Sequence, residues 1–190
     1  LWLKVARQEA FNMQPVISSE QLVYRPLKKE DWPFFLALYQ DSKLMTCIAD
    51  PRDEAEIRSA SFESRLLPWR KGDAHWLCLV METDDCRIPV GVTGFIERSP
   101  DVAEVGFILA AEHQRKGYGR ESLNAIIRFA FDALDYRKLT ATVTAGNHVS
   151  QRLLLNCGFR QEETIRQNYF LNGAWRDDWV FGLLASESPR

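Results

Sequence analysis

The sequence predicts one mixed α/β (α+β) domain, and three features carry that expectation. Short β-type runs, His75 to Glu82, Val90 to Arg98 and Val102 to Leu109, follow one another across the turn-forming Asp84-Asp85 and Ser99-Pro100-Asp101, which makes an antiparallel meander. A strand, a glycine-bearing loop, a helix-periodic run and another strand then follow in order, the pattern of a parallel crossover pair. Near the end, Asn172-Gly173 between two strand-like runs is a strong hairpin signal.

The 190 residues, 46% apolar and 12% aromatic, can bury one sizeable core, and no repeat, low-complexity tract or linker divides them. Residues 1–19 read as an N-terminal extension, 20–185 as the domain and 186–190 as a tail. Position 1 is Leu and Met13 precedes the first clear strand, so residues 1–12 are set aside as a start-site extension. Gln21 to Arg25 reads as a strand closed by Pro26, and Asp31 as the N-cap of an apolar helix from Trp32 to Tyr39. A second helix is expected from Asp53 to Leu67, with Ile57, Phe62 and Leu66 on its apolar face and Pro68 stopping it.

After the meander, Leu123, Ile126, Ile127, Ala130, Phe131 and Leu134 recur at helical spacing within Gly119 to Leu134. Leu139 to Thr144 then alternates Leu139, Ala141 and Val143 toward one buried face. Asn147 caps a short helix in which Val149, Leu153 and Cys157 share a face, and Gly158 is placed to terminate it. Thr164 to Leu171 and Ala174 to Leu184 flank the hairpin turn.

Net charge is −2 and the isoelectric point is near 6.0, so there is no global basic field and no direct nucleic-acid partner is expected. Cys47, Cys78, Cys86 and Cys157 lack Cys-x-x-Cys spacing, and His75, His113 and His148 form no ligand cluster, so neither a metal site nor a disulfide framework is expected. No apolar run approaches the ~20 residues that span a bilayer, and no secretory signal is evident. No membrane partner is expected, and a reducing cytoplasmic location is the default reading.

The stretch Gln114-Arg115-Lys116-Gly117-Tyr118-Gly119 joins a strand to a helix N-terminus, where orphan N–H groups and the helix dipole favour an anion. Gly117 and Gly119 allow positive φ and close approach, while Arg115, Lys116 and Arg120 add charge. Glycine serving only as a turn device is the alternative. The spacing is neither a Walker loop nor a Gly-x-Gly-x-x-Gly dinucleotide fingerprint.

Gln114-x-x-Gly117-x-Gly119 resembles the acetyl-CoA pyrophosphate loop of the GCN5-related N-acetyltransferase (GNAT) superfamily. Tyr24-Arg25-Pro26-Leu27 before Asp31, Glu104-Val105-Gly106-Phe107, Asn147-x-x-Ser150, Gly158-Phe159 and Asn172-Gly173-x-Trp175-x-Asp177 extend the resemblance to the Rim-type branch over roughly residues 20 to 185. That branch includes ribosomal-protein N-terminal acetyltransferases and polyamine or other small-amine acetyltransferases. The resemblance implies a single GNAT-like domain: a mixed, mostly antiparallel seven-stranded sheet whose fourth and fifth strands are parallel and splayed, with about four helices. Gly106 is a place for the bulge that such splaying would use. The implied cosubstrate is acetyl-CoA. The main chains of Phe107, Ile108 and Leu109 would meet pantetheine, the loop residues Gln114, Arg115, Lys116, Gly117, Tyr118, Gly119 and Arg120 would cradle pyrophosphate, and Asn147 would contact the cofactor, capping alone being its alternative role.

Acetyl transfer to an amine needs a base, a donor to the carbonyl oxygen and stabilisation of the leaving thiolate. Glu104 is the best base, because strand alternation puts it with Gly106 and Ile108 on one face beside the expected cleft; an ordinary surface carboxylate is the alternative. A main-chain N–H near Ile108 would hold the oxyanion. Many superfamily members carry a tyrosine acid four residues before the Gly-Phe pair, where this chain has Leu154. Ser150, one turn earlier, is the candidate for a hydrogen bond to the leaving sulfur, against an ordinary helix-start serine. Tyr169 stands where some Rim-type members carry Glu and is a second catalytic or acceptor-contact candidate, against an ordinary aromatic strand residue. Glu121 is read as support, the tryptophans as core or pocket wall, and His75 carries no assigned role.

Three functions compete. The first is transfer to the N-terminal α-amine of a protein, a ribosomal one in the Rim pattern, by direct transfer in a ternary complex. The second keeps the cofactor with a polyamine, aminoglycoside or amino-acid acceptor, for which Asp50, Asp53, Glu54 and Glu56 could line the acceptor side. The third is a noncatalytic acyl-CoA sensor, motivated by Leu154. A monomer and a homodimer are both compatible with the chain.

Overall fold

The computed structural model describes residues 17–188, so the extension read at 1–12 lies outside the described residues. Ile17, by contrast, is buried in the core, and Ser19 donates to Glu121 at 2.5 Å, so residues 17–19 pack on the domain. The chain runs as Leu22–Pro26 (β1), a 3-10 turn, Trp32–Gln40 (α1), Ser42–Met45 (α2), Glu54–Ile57 (α3), Leu77–Thr83 (β2), Pro89–Ser99 (β3), Val102–Leu109 (β4), Tyr118–Arg128 (α4), Lys138–Thr144 (β5), His148–Asn156 (α5), Arg160–Leu171 (β6) and Ala174–Leu184 (β7). One sheet in the order β1-β2-β3-β4-β5-β7-β6 holds all seven strands, antiparallel except where β4 meets β5.

Side chains alternate between the two faces of this sheet, and each face receives its own helices. Leu79, Phe95, Val105, Leu139 and Phe181 meet Leu123 and Ile126 of α4, each of these seven at most 5% exposed. On the opposite face Val80 and Val92 meet Phe35 and Leu38 of α1 and Ile57 of α3. Full burial contributes about 1.5–3 kcal/mol per such side chain, so the two layers together clamp the sheet that carries the cleft.

Several local expectations change. Asp31 occupies the N-cap position of α1 but makes no capping bond. Its carboxylate instead receives both arms of Arg25 at 2.7 Å and the Lys28 N–H at 2.8 Å, which burial beside Arg25 favours over a solvent-facing cap. The expected second helix begins with an Asp53–Glu56 capping box but changes pitch after Ile57, through a π turn (Arg58–Phe62) and a 3-10 turn (Glu63–Leu66). The wider π turn brings Ile57 and Phe62, five residues apart, onto one buried face. An additional helical turn, α2, forms because Asp41 accepts from the Lys43 and Leu44 N–H groups. In α5, Leu154 and Cys157 are buried while Val149, expected on the same face, is 69% exposed.

Gly106 carries no bulge. It pairs with Gly94 in a register that runs unshifted from Gly91↔Leu109 to Glu97↔Ala103. A Cβ there would lie 2.9 Å from Trp76 Cη2, so glycine makes room for the indole. Asn172 (φ 52°) and Gly173 (φ 73°) form the expected hairpin turn.

Candidate active site

β4 and β5 pair over only three positions, Val102↔Lys138, Ala103↔Leu139 and Glu104↔Thr140. Beyond them β4 stays on β3 and β5 stays on β7, so the two strands diverge. The gap is an open cleft of about 290 Å³, walled by Glu104 to Ile108 on one side and by Ala141 to Thr144, Asn147, Ser150 and Leu154 on the other. Backbone groups alternate between the two edges of a strand, and Ala110 N–H reaches Val90 O at 2.9 Å across β3. With the register unshifted, Ile108 therefore turns its N–H toward β3 as well, while Phe107 and Leu109 turn theirs toward the cleft. The N–H groups near Ile108 that face the cleft are thus those of Phe107 and Leu109, and an edge of unpaired strand N–H and C=O groups is what an extended amide-bearing arm can bond.

At the mouth of the gap the loop before α4 holds Arg115 at φ 62° and Gly117, the N-cap of α4, at φ 89°. Two left-handed residues in a short span turn successive N–H groups to one side. Among the described residues, none of the backbone N–H groups from Arg115 to Arg120 donates to a protein acceptor. Six orphan donors at a helix N-terminus, with Arg115, Lys116 and Arg120 exposed around them, form a cradle that fits a diphosphate. Gly119 lies against Leu109 and Leu153, where a Cβ would stand 3.2 and 3.3 Å from their methyls, which keeps α4 close to the end of β4. Gln114 spans the same junction by donating to Leu109 O at 3.3 Å.

Glu121 secures this helix end. It accepts from Ser19, the Gln21 side chain and the Gln21 and Leu22 N–H groups, and these bonds outweigh its burial to hold its carboxyl below the usual range. It is support, as its sequence position suggested.

Glu104 lies on the cleft wall and its Oε2 accepts from Arg98 Nε at 2.5 Å. Asn147 caps α5 by accepting from Ser150 N–H at 3.2 Å, and both residues line the cleft. Leu154, fully buried, fills the wall where a tyrosine acid would stand. Tyr169 is set apart. It lines a second cavity of about 380 Å³ with Asp50, Arg52 and Ser61, joined to the cleft through the shared Tyr39, Ile48 and Arg65.

The α1 to α3 side of the cleft holds Trp76, one of the tryptophans read as core or pocket wall, with Arg65 and Cys47, which carried no site role in that reading. Trp76 lies over Gly106, Arg65 lies over Trp76 with 5.6 Å to the ring centroid, and Cys47 completes the wall. Only the hairpin register could have revealed Arg98 beside Glu104; Arg52 and Arg65 carry no motif and are gathered by the helix pitch change. Among the described residues no group of three His, Cys, Asp or Glu side chains is arranged to hold a metal, and no helix is long and apolar enough to cross a membrane.

This geometry matches known proteins. A family model described as an acetyltransferase (GNAT) domain matches residues 21–160, and the chain belongs to that family of N-acetyltransferases. YoaA, an uncharacterised N-acetyltransferase of Bacillus subtilis, is 25% identical over 90% of this chain and 98% of its own. A GNAT-family acetyltransferase from Bacillus anthracis superposes with a TM-score of 0.78 at 21% identity, covering 91% of this chain and 100% of that one. The spermidine N-acetyltransferase of Vibrio cholerae in complex with CoA and spermine gives a TM-score of 0.75 at 25% identity, covering 88% and 97%. Family and cleft together support acetyl-CoA as cosubstrate, with an amine as acceptor.

Proposed function

We propose that the protein transfers an acetyl group directly, in a ternary complex, from acetyl-CoA to the N-terminal α-amine of a protein, with ribosomal proteins as the first acceptors to test. When bound, acetyl-CoA supplies an acetyl group activated as a thioester. The cradle at Arg115 to Arg120 holds its diphosphate, and the cleft edges of Phe107 and Leu109 bond its arm and the thioester oxygen. Asn147, through the amide nitrogen its capping bond leaves over, helps hold the arm. Glu104 takes a proton from the acceptor ammonium, directly or through a water, and the Ser150 hydroxyl donates to the departing sulfur.

The carrying observation is the charge of the acceptor side. A polycation needs carboxylates along the acceptor side, yet Asp53, Glu54 and Glu56 line neither cavity, and Asp50, which lines the second, spends one oxygen on Asn172 N–H at 2.7 Å. Arg52 and Arg65 stand there instead. An open cleft with a cationic flank suits a peptide terminus better than spermidine, the substrate named for the Vibrio cholerae neighbour. Acetyl-CoA turnover on N-terminal peptides, spermidine, an aminoglycoside and free amino acids tests the reading. Peptides should be the favoured acceptors. Turnover of spermidine alone would replace the reading, and acetyl-CoA binding without transfer to any amine would leave the sensor.

A further inference from the structure

We propose that the second cavity binds a carboxylate carried by the acceptor, so that the protein favours amines with an acidic group near the reacting nitrogen. The inference rests on the peptide reading above and adds the charge of its substrate.

The cavity is built around Ser61, which is 5% exposed and lies in the π turn that follows α3. Arg52 Nη1 donates to Ser61 Oγ at 3.2 Å, and Arg65 Nη1 donates to the Ser61 carbonyl. One buried residue thus fixes two guanidinium groups in one cavity. Aromatic rings brace both from behind: Arg52 lies 5.6 Å from the centroid of Tyr39, and Arg65 lies 5.6 Å from that of Trp76. Among the described residues neither arginine has a carboxylate within 4.0 Å. The one acid on the cavity wall, Asp50, is turned to the Asn172 N–H at the hairpin tip.

Two like charges held side by side and partly removed from water are unfavourable until an anion joins them, and a guanidinium pair presents forked donors suited to a carboxylate. Arg65 and Tyr39 border both cavities, so a carboxylate bound here belongs to the molecule whose amine lies in the cleft. Two sources share this chemistry: an acidic side chain close behind a peptide N-terminus, and the carboxylate of a free amino acid.

The test compares kcat/KM for matched peptides with Glu, Gln or Lys at the second, third and fourth positions, beside free amino acids and spermidine. Each is run with wild type, Arg52→Gln, Arg65→Gln and Arg65→Lys. Acidic peptides should exceed their Gln counterparts by about ten- to hundredfold, the range of one or two hydrogen bonds to a charged group, mainly through KM. Either Gln variant should collapse that ratio toward unity, and Arg65→Lys should restore part of it. The ratio within each variant removes any loss from misfolding, which acetyl-CoA affinity and thermal unfolding check separately. Free amino acids preferred over every peptide, with the same arginine dependence, keep the carboxylate site and overturn the peptide reading. Peptides acetylated equally whatever their charge keep the reading and overturn the site. Preference for spermidine overturns both.

Discussion

Arg98 Nε lies 2.5 Å from Glu104 Oε2, across the turn that joins β3 to β4. Ile96 stands directly opposite Glu104, and Arg98 lies at the register shift between Glu97 and Ser99, from which it reaches back to the carboxylate. The contact occupies one carboxylate oxygen of a residue that lines the cleft. Glu104→Gln, which preserves shape but cannot accept the proton, is expected to lower kcat about a hundredfold with acetyl-CoA affinity retained. Arg98→Ala should lower it less, since the base survives but is less well oriented. Single-turnover rates together with calorimetry separate the two quantities, and an unchanged Glu104→Gln rate would refute the base.

Gly106 and Trp76 meet in the wall of the cleft. With a Cβ at Gly106 only 2.9 Å from Cη2 and 3.0 Å from Cζ3 of the indole, Gly106→Ala must displace Trp76 and the Arg65 lying over it. A loss of about 1–3 kcal/mol is expected, a lowering of Tm by several degrees, with a raised KM for the acceptor. Gly106→Ala with wild-type stability and KM would show that the indole is free to move.

The Arg25, Asp31 and Glu82 cluster gives acid sensitivity. Burial pushes the Asp31 carboxyl up, but the Arg25 and Lys28 donors outweigh it and hold the group below its ordinary 3.8. A carboxyl depressed in the folded state adds stability that is present above the unfolded value and lost as pH falls through the folded one. Asp31→Asn leaves Arg25 with only Glu82 and should cost ~3 kcal/mol at pH 7. The gap between variant and wild type should narrow below about pH 4, measured as urea midpoints across pH. A gap constant down to pH 2 would dissociate Asp31 from the acid response.

Strand order in the meander, the crossover pair and the hairpin were legible because each rests on local turn chemistry and short periodicity. The glycine loop was legible for the same reason: Gly117 at positive φ is a backbone demand that few residues meet. Positions set by tertiary packing and strand register were not. Asp31 carries the composition of a cap, yet Arg25 and burial redirect it. Gly106 looked like a bulge until Trp76, thirty residues earlier, supplied the reason for its missing side chain. The direction of the Ile108 N–H follows from strand register, which no side-chain pattern reports. Arg52 and Arg65 meet only because the helix changes pitch between Ile57 and Leu66.

Calorimetric titration of acetyl-CoA into wild type, Gly117→Gln and Gly117→Glu tests the central claim, that the loop before α4 cradles the cosubstrate's diphosphate. Gly117 sits at φ 89° with open space around its missing Cβ, so the two nearly isosteric substitutions share the backbone strain and neither places its Cβ against the protein. Only the glutamate adds charge to the cradle. One site is expected in the wild type, weakened in Gly117→Gln and weakened by at least about a further tenfold in Gly117→Glu, the added loss shrinking at high salt. Equal affinity in all three proteins would contradict the cradle and detach the glycine loop from acetyl-CoA.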